Sequence, residues 1–159
     1  MISKPKIFIG SSKGNVAVAN AIATGLEQDR DCAFTTVWSE GVFQPGDSFL
    51  DRLLDAPSEY DFAVMVWAAD DKTDTDGVSQ PSPRDNVVFE CGLFMGALGK
   101  KRVFVVYDSQ ADIKIPSDFA GNTPHLVGSV AKKALQRPKG SKRIEFSTNL
   151  IEAKKVAGD

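Results

Sequence analysis

A run of six apolar residues, Phe62-Ala63-Val64-Met65-Val66-Trp67, most limits the folds open to this chain. Continuous apolar strands are typical of the centre of a parallel sheet, where helices cover both faces. The run therefore predicts a buried central strand. Two acidic residues, Asp70 and Asp71, follow its carboxyl end. Asp70 is a candidate ligand-binding residue, because open α/β sheets bind ligands at that edge.

Three further segments, residues 6–9, 34–38 and 102–107, also predict buried strands. Amphipathic helical patterns separate the strands, and one of these helices is predicted to begin after an N-cap at Asp47. Strands alternating with helices predict an α/β fold, specifically a doubly wound parallel sheet with flavodoxin-like strand order in a single domain. The ligand crevice of such a sheet lies between the first and third strands.

Composition excludes several classes of function. The 159 residues carry a formal net charge of -2, which argues against a basic surface for nucleic acid. No apolar run reaches membrane-spanning length and no signal-peptide pattern opens the chain, so we expect a cytoplasmic protein without membrane partners. One histidine and two cysteines give no zinc pattern, and no metal site is expected. Cys91 is interpreted as a small core residue and His125 is given no role.

The segment from Arg84 to Phe94 predicts a helix with one carboxylate, Glu90, at the border of its apolar stripe. Ser82 is the predicted N-cap, Pro83 suits the first helical position, and Gly99 ends the helix. For a single helical glutamate, a surface position is the ordinary interpretation. The helix start should nevertheless stand near the carboxyl edge of the sheet, which makes Glu90 a candidate for chemistry.

Two loops flank the predicted crevice. The first strand is predicted to end in a loop over residues 10–14, which has neither the ending of a Walker motif nor a dinucleotide fingerprint. Its small residues still allow a ligand to approach backbone N–H groups at a helix N-terminus. The acidic stretch over residues 70–81 does not match a calcium loop and is interpreted as a solvated, mobile flap. Residues 108–122 are predicted to be another loop.

Several of these segments together resemble the bacterial TIR-like domains, including the TIR modules of anti-phage effectors fused to cyclic-nucleotide sensors. The matching segments, in the same order as in the family, are residues 7–12, 37–38 with 41–43, 62–71, 83–90 with 92–94, and 115–118. The resemblance covers roughly the first 120 residues, and the combination is far more specific than any single motif. It implies a TIR fold over residues 1–126. Residues 127–159 form a basic region that we expect to be a helix or linker leading to a sensor domain in a longer protein.

The resemblance implies NAD+ glycohydrolase activity in anti-phage defence, with NAD+ as the substrate and no further cofactor. Glu90 matches the catalytic glutamate of the family. By the same resemblance, Gly10, Ser11 and Ser12 match the loop beside the nucleotide, and Trp38 and Phe43 belong to a mobile loop. Asp70 is a predicted substrate-binding residue from its place at the crevice. Arg84 and Asn86 are candidates for orienting ribose or phosphate, with Arg84 equally interpretable as a surface residue at the helix start. Many TIR NADases carry tryptophan one turn before the glutamate, where this chain has Asn86, so ring stacking is not expected there.

The resemblance also implies self-assembly into a homo-oligomer or filament, with a fused or separate cyclic-nucleotide sensor as partner. Phe89 faces away from the apolar stripe and is a candidate interface residue, or else a residue that the flap covers. Two other functions stay open: a non-catalytic TIR interaction module, and an enzyme like the nucleoside deoxyribosyltransferases, with glutamate as covalent nucleophile. The product, ADP-ribose or its cyclic form, also stays open.

Overall fold

The computed structural model describes residues 4–29, 31, 33–39, 48–107, 111–120 and 126–128. The elements in chain order are β1 (Lys6–Ser11), α1 (Val16–Thr24), β2 (Phe34–Ser39), α2 (Phe49–Asp55), β3 (Phe62–Trp67), β4 (Asp71–Thr75), β5 (Val78–Ser82), α3 (Asp85–Leu98), β6 (Val103–Tyr107), α4 (Ser117–Ala120) and β7 (Leu126–Gly128). A π-helical turn, Gly25–Asp29, continues α1.

Five strands form a parallel sheet in the order β2-β1-β3-β6-β7. The predicted α/β class and flavodoxin-like order are confirmed. The sequence predicted only four of these strands, because β7 has three residues and is too short for a hydrophobic pattern to show. In the register of the sheet, Gly10 of β1 lies between Trp38 of β2 and Met65 of β3.

The core lies on both faces of the sheet because successive strand residues point to opposite sides. On one face, Ile7 and Ile9 of β1 pack in a cluster with Ile22 of α1. On the other face, Phe8 packs in a cluster with Leu53 of α2 and with α3, where the rings of Phe8 and Phe94 have centroids 4.3 Å apart. Helices α1 and α3 therefore cover opposite faces of the sheet.

The segment predicted as a loop is instead ordered secondary structure, because residues 71–82 form an antiparallel hairpin of β4 and β5. Its predicted exposure to solvent is confirmed for most residues of the two strands taken together. Asp76 and Gly77 form its turn, with φ of 51° and 81°. Two consecutive residues with positive φ are what a type I′ turn requires, and Asp-Gly is one of its preferred sequences. The Lys114 N–H donates to the Pro81 carbonyl at 2.7 Å and fixes the hairpin to the segment before α4.

The predicted start of α3 is also wrong. Ser82 ends β5, and its Oγ accepts a hydrogen bond from the Thr73 hydroxyl at 2.9 Å, so it does not cap the helix. The helix begins at Asp85, and the Arg84 carbonyl accepts from the N–H of Val87 at 3.0 Å. The predicted end is confirmed, since Gly99 has a φ of 83° and donates to Met95 O.

Helix α2 has Ser48 as its N-cap, with the Asp51 N–H donating to Ser48 Oγ, so the predicted cap at Asp47 is wrong. The loop predicted over residues 108–122 contains the short helix α4.

Asp47 itself, Phe43 and His125 lie outside the described residues, as does the basic region apart from residues 127 and 128. No helix in the described part of the chain has the length and hydrophobicity to cross a membrane.

Candidate active site at the carboxyl ends of β1 and β3

Glu90 is buried in the middle of α3. Its exposed fraction is 2%, and it is the one charged side chain among the buried residues that the structure describes. Val87, Cys91 and Phe94 of the same helix are also buried, as the apolar stripe predicted. The interpretation of Glu90 as an ordinary surface acid is therefore wrong. Moving a carboxylate out of water costs desolvation free energy, so a buried glutamate is expected to have a specific structural or functional role.

The Glu90 carboxylate lies against the backbone of β1 at Gly10. A Cβ atom added to Gly10 would stand 3.2 Å from Glu90 Oε2, 2.8 Å from Met65 Sδ and 3.0 Å from Phe8 Cε1. No side chain fits there without displacing a neighbour. Gly10 was predicted to lie in a loop, whereas it is a strand residue whose missing side chain makes room for the carboxylate.

Trp38 stands beside this carboxylate site on the same face of the sheet. It is aligned with Gly10 in the register of β1 and β2. Its ring packs on the Phe8 cluster, with the Phe8 and Trp38 centroids 5.7 Å apart. Gly10, Trp38 and Glu90 are thus three predicted site residues that the fold brings together.

Ser12 and Asp70 meet at the same edge of the sheet through Asn15. The Asn15 side-chain amide donates to Ser12 Oγ at 2.8 Å and to Asp70 Oδ1 at 2.9 Å. Ser11 is buried at the end of β1. Asn15 was not among the predicted site residues, although its position as N-cap of α1 was a usable signal.

Arg84 and Asn86 lie at the N-terminal end of α3, as predicted. Arg84 Nε is 3.7 Å from Asp71 Oδ2, and both side chains are about half exposed. Such a pair contributes little to stability and can exchange for a ligand group. Asn86 is exposed, one helical turn before Glu90. Phe43, the remaining predicted site residue, lies outside the described residues.

Cys91 is unsuited to act as a nucleophile. Burial, with the negative charge of Glu90 adding to it, raises the pKa of the Cys91 thiol to about 12. Because the thiolate is the reactive form, the thiol is inert at neutral pH. Among the residues that the structure describes, no group of three or more His, Cys, Asp or Glu side chains is arranged to hold a metal ion.

The arrangement as a whole is an anionic site in an apolar surrounding. One carboxylate faces a glycine at the crevice between β1 and β3, where doubly wound sheets bind ligands. Electrostatic attraction acts more strongly in a low-dielectric site than in water. A site of this kind favours a ligand group that is positively charged or becomes so during a reaction.

Comparisons with known proteins agree with this architecture. Residues 6–128 match the family model described as CAP12/Pycsar effector protein, TIR domain. The chain is 38% identical over 150 residues to CD-NTase-associated protein 12 of Lachnospiraceae bacterium (strain RUG226), covering 94% of this chain and 43% of that protein. It is 40% identical over 121 residues to Pycsar effector protein BcPycTIR of Burkholderia cepacia, covering 76% of this chain and 39% of that protein.

A third relative, CD-NTase-associated protein 12 of Flavobacterium daejeonense, is 41% identical over 120 residues, covering 76% of this chain and 37% of that protein. The chain therefore spans about two fifths of the length of these relatives. The matched region of the family model contains all the described elements from β1 to β7.

Proposed function

The chain belongs to the CAP12/Pycsar effector TIR-domain family, and we propose that it is an NAD+ nucleosidase that cleaves the bond between nicotinamide and ribose. The observation that carries the proposal is the burial of the Glu90 carboxylate against Gly10, at the crevice between β1 and β3. Glu90 is the proposed catalytic residue.

The chemistry suits a site with one carboxylate. Nicotinamide leaves as a neutral molecule from a cationic pyridinium, so its departure needs no general acid. Positive charge develops on the ribose instead, as in other glycosidic cleavages through oxocarbenium-like states. A carboxylate fixed beside that ribose stabilises the transition state more than the ground state, which lowers the barrier.

The neighbours of Glu90 supply binding and orientation in this proposal. The Trp38 ring, aligned with Gly10, offers an aromatic face to the cationic nicotinamide ring. Asn86, one turn before Glu90, orients the ribose, and Arg84 binds phosphate after leaving Asp71. Ser11, Ser12 and Asp70 bind the rest of the dinucleotide, and Phe43 belongs to the loop that follows Trp38. Water as nucleophile gives ADP-ribose.

The proposed setting is anti-phage defence in response to a cyclic-nucleotide signal. The relatives are named as effectors and as CD-NTase-associated proteins, and they are about twice as long as this chain. A sensor in a longer protein, or a separate one, would report that signal. We also propose that self-assembly activates the domain. Phe89 of α3 is 53% exposed and is the candidate contact residue.

The test is nicotinamide release from NAD+ at high protein concentration, compared between the parent protein, Glu90→Gln and Glu59→Gln. Glu59 is an exposed glutamate at the end of the short helix before β3, which makes it a matched control. We expect Glu90→Gln to lower kcat by about 10²–10³-fold, the scale of losing one preorganised electrostatic group. Glu59→Gln should retain the parent rate.

A parallel incubation with a deoxynucleoside separates the alternatives. Base exchange with a trapped glycosyl intermediate and intact NAD+ would identify a deoxyribosyltransferase-like enzyme. No turnover of either compound by the crowded, assembled protein would identify a non-catalytic interaction module. Nicotinamide release that Glu90→Gln leaves undiminished would show that another group carries out the cleavage.

A further inference from the structure

A second polar group, made up of Ser12, Asn15 and Asp70, lies where β1 and β3 end and is distinct from the Glu90 carboxylate. The Asn15 amide joins the other two side chains, at 2.8 Å from Ser12 Oγ and 2.9 Å from Asp70 Oδ1. Ser12 is 1% exposed, whereas Asp70 is exposed and open to a ligand. Within the described residues, no hydrogen bond involves the second carboxylate oxygen of Asp70, Oδ2.

Ser11 adds an unused buried hydroxyl beside this group. It is 2% exposed, and its Oγ has no hydrogen-bond partner among the residues that the structure describes. Since strand side chains alternate, Ser11 shares with Ile9 the face that α1 covers, and it directly precedes Ser12. A buried hydroxyl without a partner costs free energy, which a polar ligand group at this position would recover.

The charge of the group decides which ligand it suits. A helix N-terminus such as that of α1 attracts anions, but the Asp70 carboxylate, held by Asn15, already supplies a negative charge there. A phosphate beside Asp70 would be repelled. An ionised carboxylate only accepts hydrogen bonds, so its natural partner is a donor such as the hydroxyl pair of a ribose. Acidic residues beyond strand ends bind ribose hydroxyls in dinucleotide-binding folds.

We infer that Asp70, positioned by Asn15, binds the adenosine ribose through its 2′-hydroxyl and makes this site select NAD+ over NADP+. The inference rests on the proposed cleavage of NAD+. Glu90 lies beside Gly10, whereas Asp70 is linked to Ser12. The backbone positions of Gly10 and Ser12 are about 7 Å apart at the rise of a strand. A dinucleotide has two ribose rings joined by a diphosphate, so Glu90 would contact the ribose that bears nicotinamide and Asp70 the adenosine ribose.

The test measures binding directly and does not depend on catalysis. The full 159-residue chain is titrated with ADP-ribose and with its 2′-phosphate by isothermal titration calorimetry. The parent is compared with Asp70→Asn and with Asp74→Asn, which removes the same charge from an exposed position on β4. Nicotinamide release from NAD+ and NADP+ is measured for the same three proteins.

We expect the parent to bind ADP-ribose at least about tenfold more tightly than its 2′-phosphate, the scale of one hydrogen bond to a charged group. Asp70→Asn should reduce that ratio by about tenfold or more, and Asp74→Asn should leave it unchanged. Equal binding of both compounds by the parent, no binding of either, or equal effects of the two variants would overturn the inference. Selective binding without nicotinamide release from NAD+ would refute only the proposed cleavage.

Discussion

Replacing Gly10 by alanine tests the packing that places Glu90. The new Cβ would stand 2.8 Å from Met65 Sδ, closer than real Cβ contacts allow, and 3.0 Å from Phe8 Cε1, which is tighter than most of them. Met65 and Phe8 are fully buried, so neither side chain can move aside freely. Overpacking of this kind costs about 1–3 kcal/mol, and the lower chain entropy of alanine in the unfolded state returns about 0.4–1 kcal/mol.

The net expectation is a loss of about 1–2 kcal/mol in the free energy of unfolding. For a chain of this size, that lowers the melting temperature by about 2–8 °C. Thermal and urea unfolding measure the change. Gly92→Ala is the matched control, because nothing lies within 4 Å of its Cβ position on α3 and alanine favours the helix. It should stabilise the protein by about 0.5–1 kcal/mol.

The decisive comparison repeats Gly10→Ala in a Met65→Ala background. Without the sulfur atom the closest clash is gone, while Phe8 Cε1 and Glu90 Oε2 stay within 3.2 Å, so the same substitution should cost clearly less than in the parent. The two changes should therefore couple by about 0.5–3 kcal/mol. An equal cost of Gly10→Ala in both backgrounds would refute the packing explanation. Glu90 Oε2, at 3.2 Å, must also shift, so nicotinamide release should fall in Gly10→Ala.

Three further outcomes are expected. In a Cys32→Ser background, which leaves Cys91 as the one thiol of the sequence, Cys91 should resist labelling by maleimide at pH 8, because a pKa of about 12 leaves only about 10⁻⁴ of the Cys91 side chains as thiolate. Labelling should appear on unfolding, and rapid labelling of the native protein would contradict this. Gly77→Ala, at a φ of 81°, should cost about 1–2 kcal/mol and speed hydrogen exchange in the β4–β5 hairpin, whereas unchanged exchange would argue against the type I′ turn. Phe89→Ser should weaken self-association in sedimentation velocity while changing the free energy of unfolding by less than about 0.5 kcal/mol; undiminished association would exclude this contact.

The centre of the sheet was predictable because three of its strands, β1, β3 and β6, are apolar and buried on both faces. Residues 62–67 were predicted as a strand and form β3 with the same bounds. The hairpin was missed for the opposite reason. Its strands are largely exposed and polar, so they show no hydrophobic alternation. The turn sequence Asp76-Gly77 was the one feature that indicated a hairpin. The start of α3 was misplaced because Ser82 makes its hydrogen bond with Thr73, a tertiary contact that local capping rules do not contain.

The candidate site was only partly predictable. Residue types and order indicated Glu90 and Gly10, but their contact depends on the register of β1 against β3 and on the rotation of α3. Helical periodicity placed Glu90 at the border of the apolar stripe and gave no measure of how deeply it is buried. The link from Ser12 to Asp70 passes through Asn15, which lies 55 positions before Asp70, so no local pattern predicts it.

The most direct test of the central claim is a crystal structure of Glu90→Gln with NAD+ bound, since the variant should bind the dinucleotide without cleaving it. We predict that the ribose bearing nicotinamide lies against the side chain at position 90, over Gly10 and beside Trp38. A dinucleotide bound away from the crevice between β1 and β3, with its nicotinamide ribose out of contact with position 90, would contradict the account.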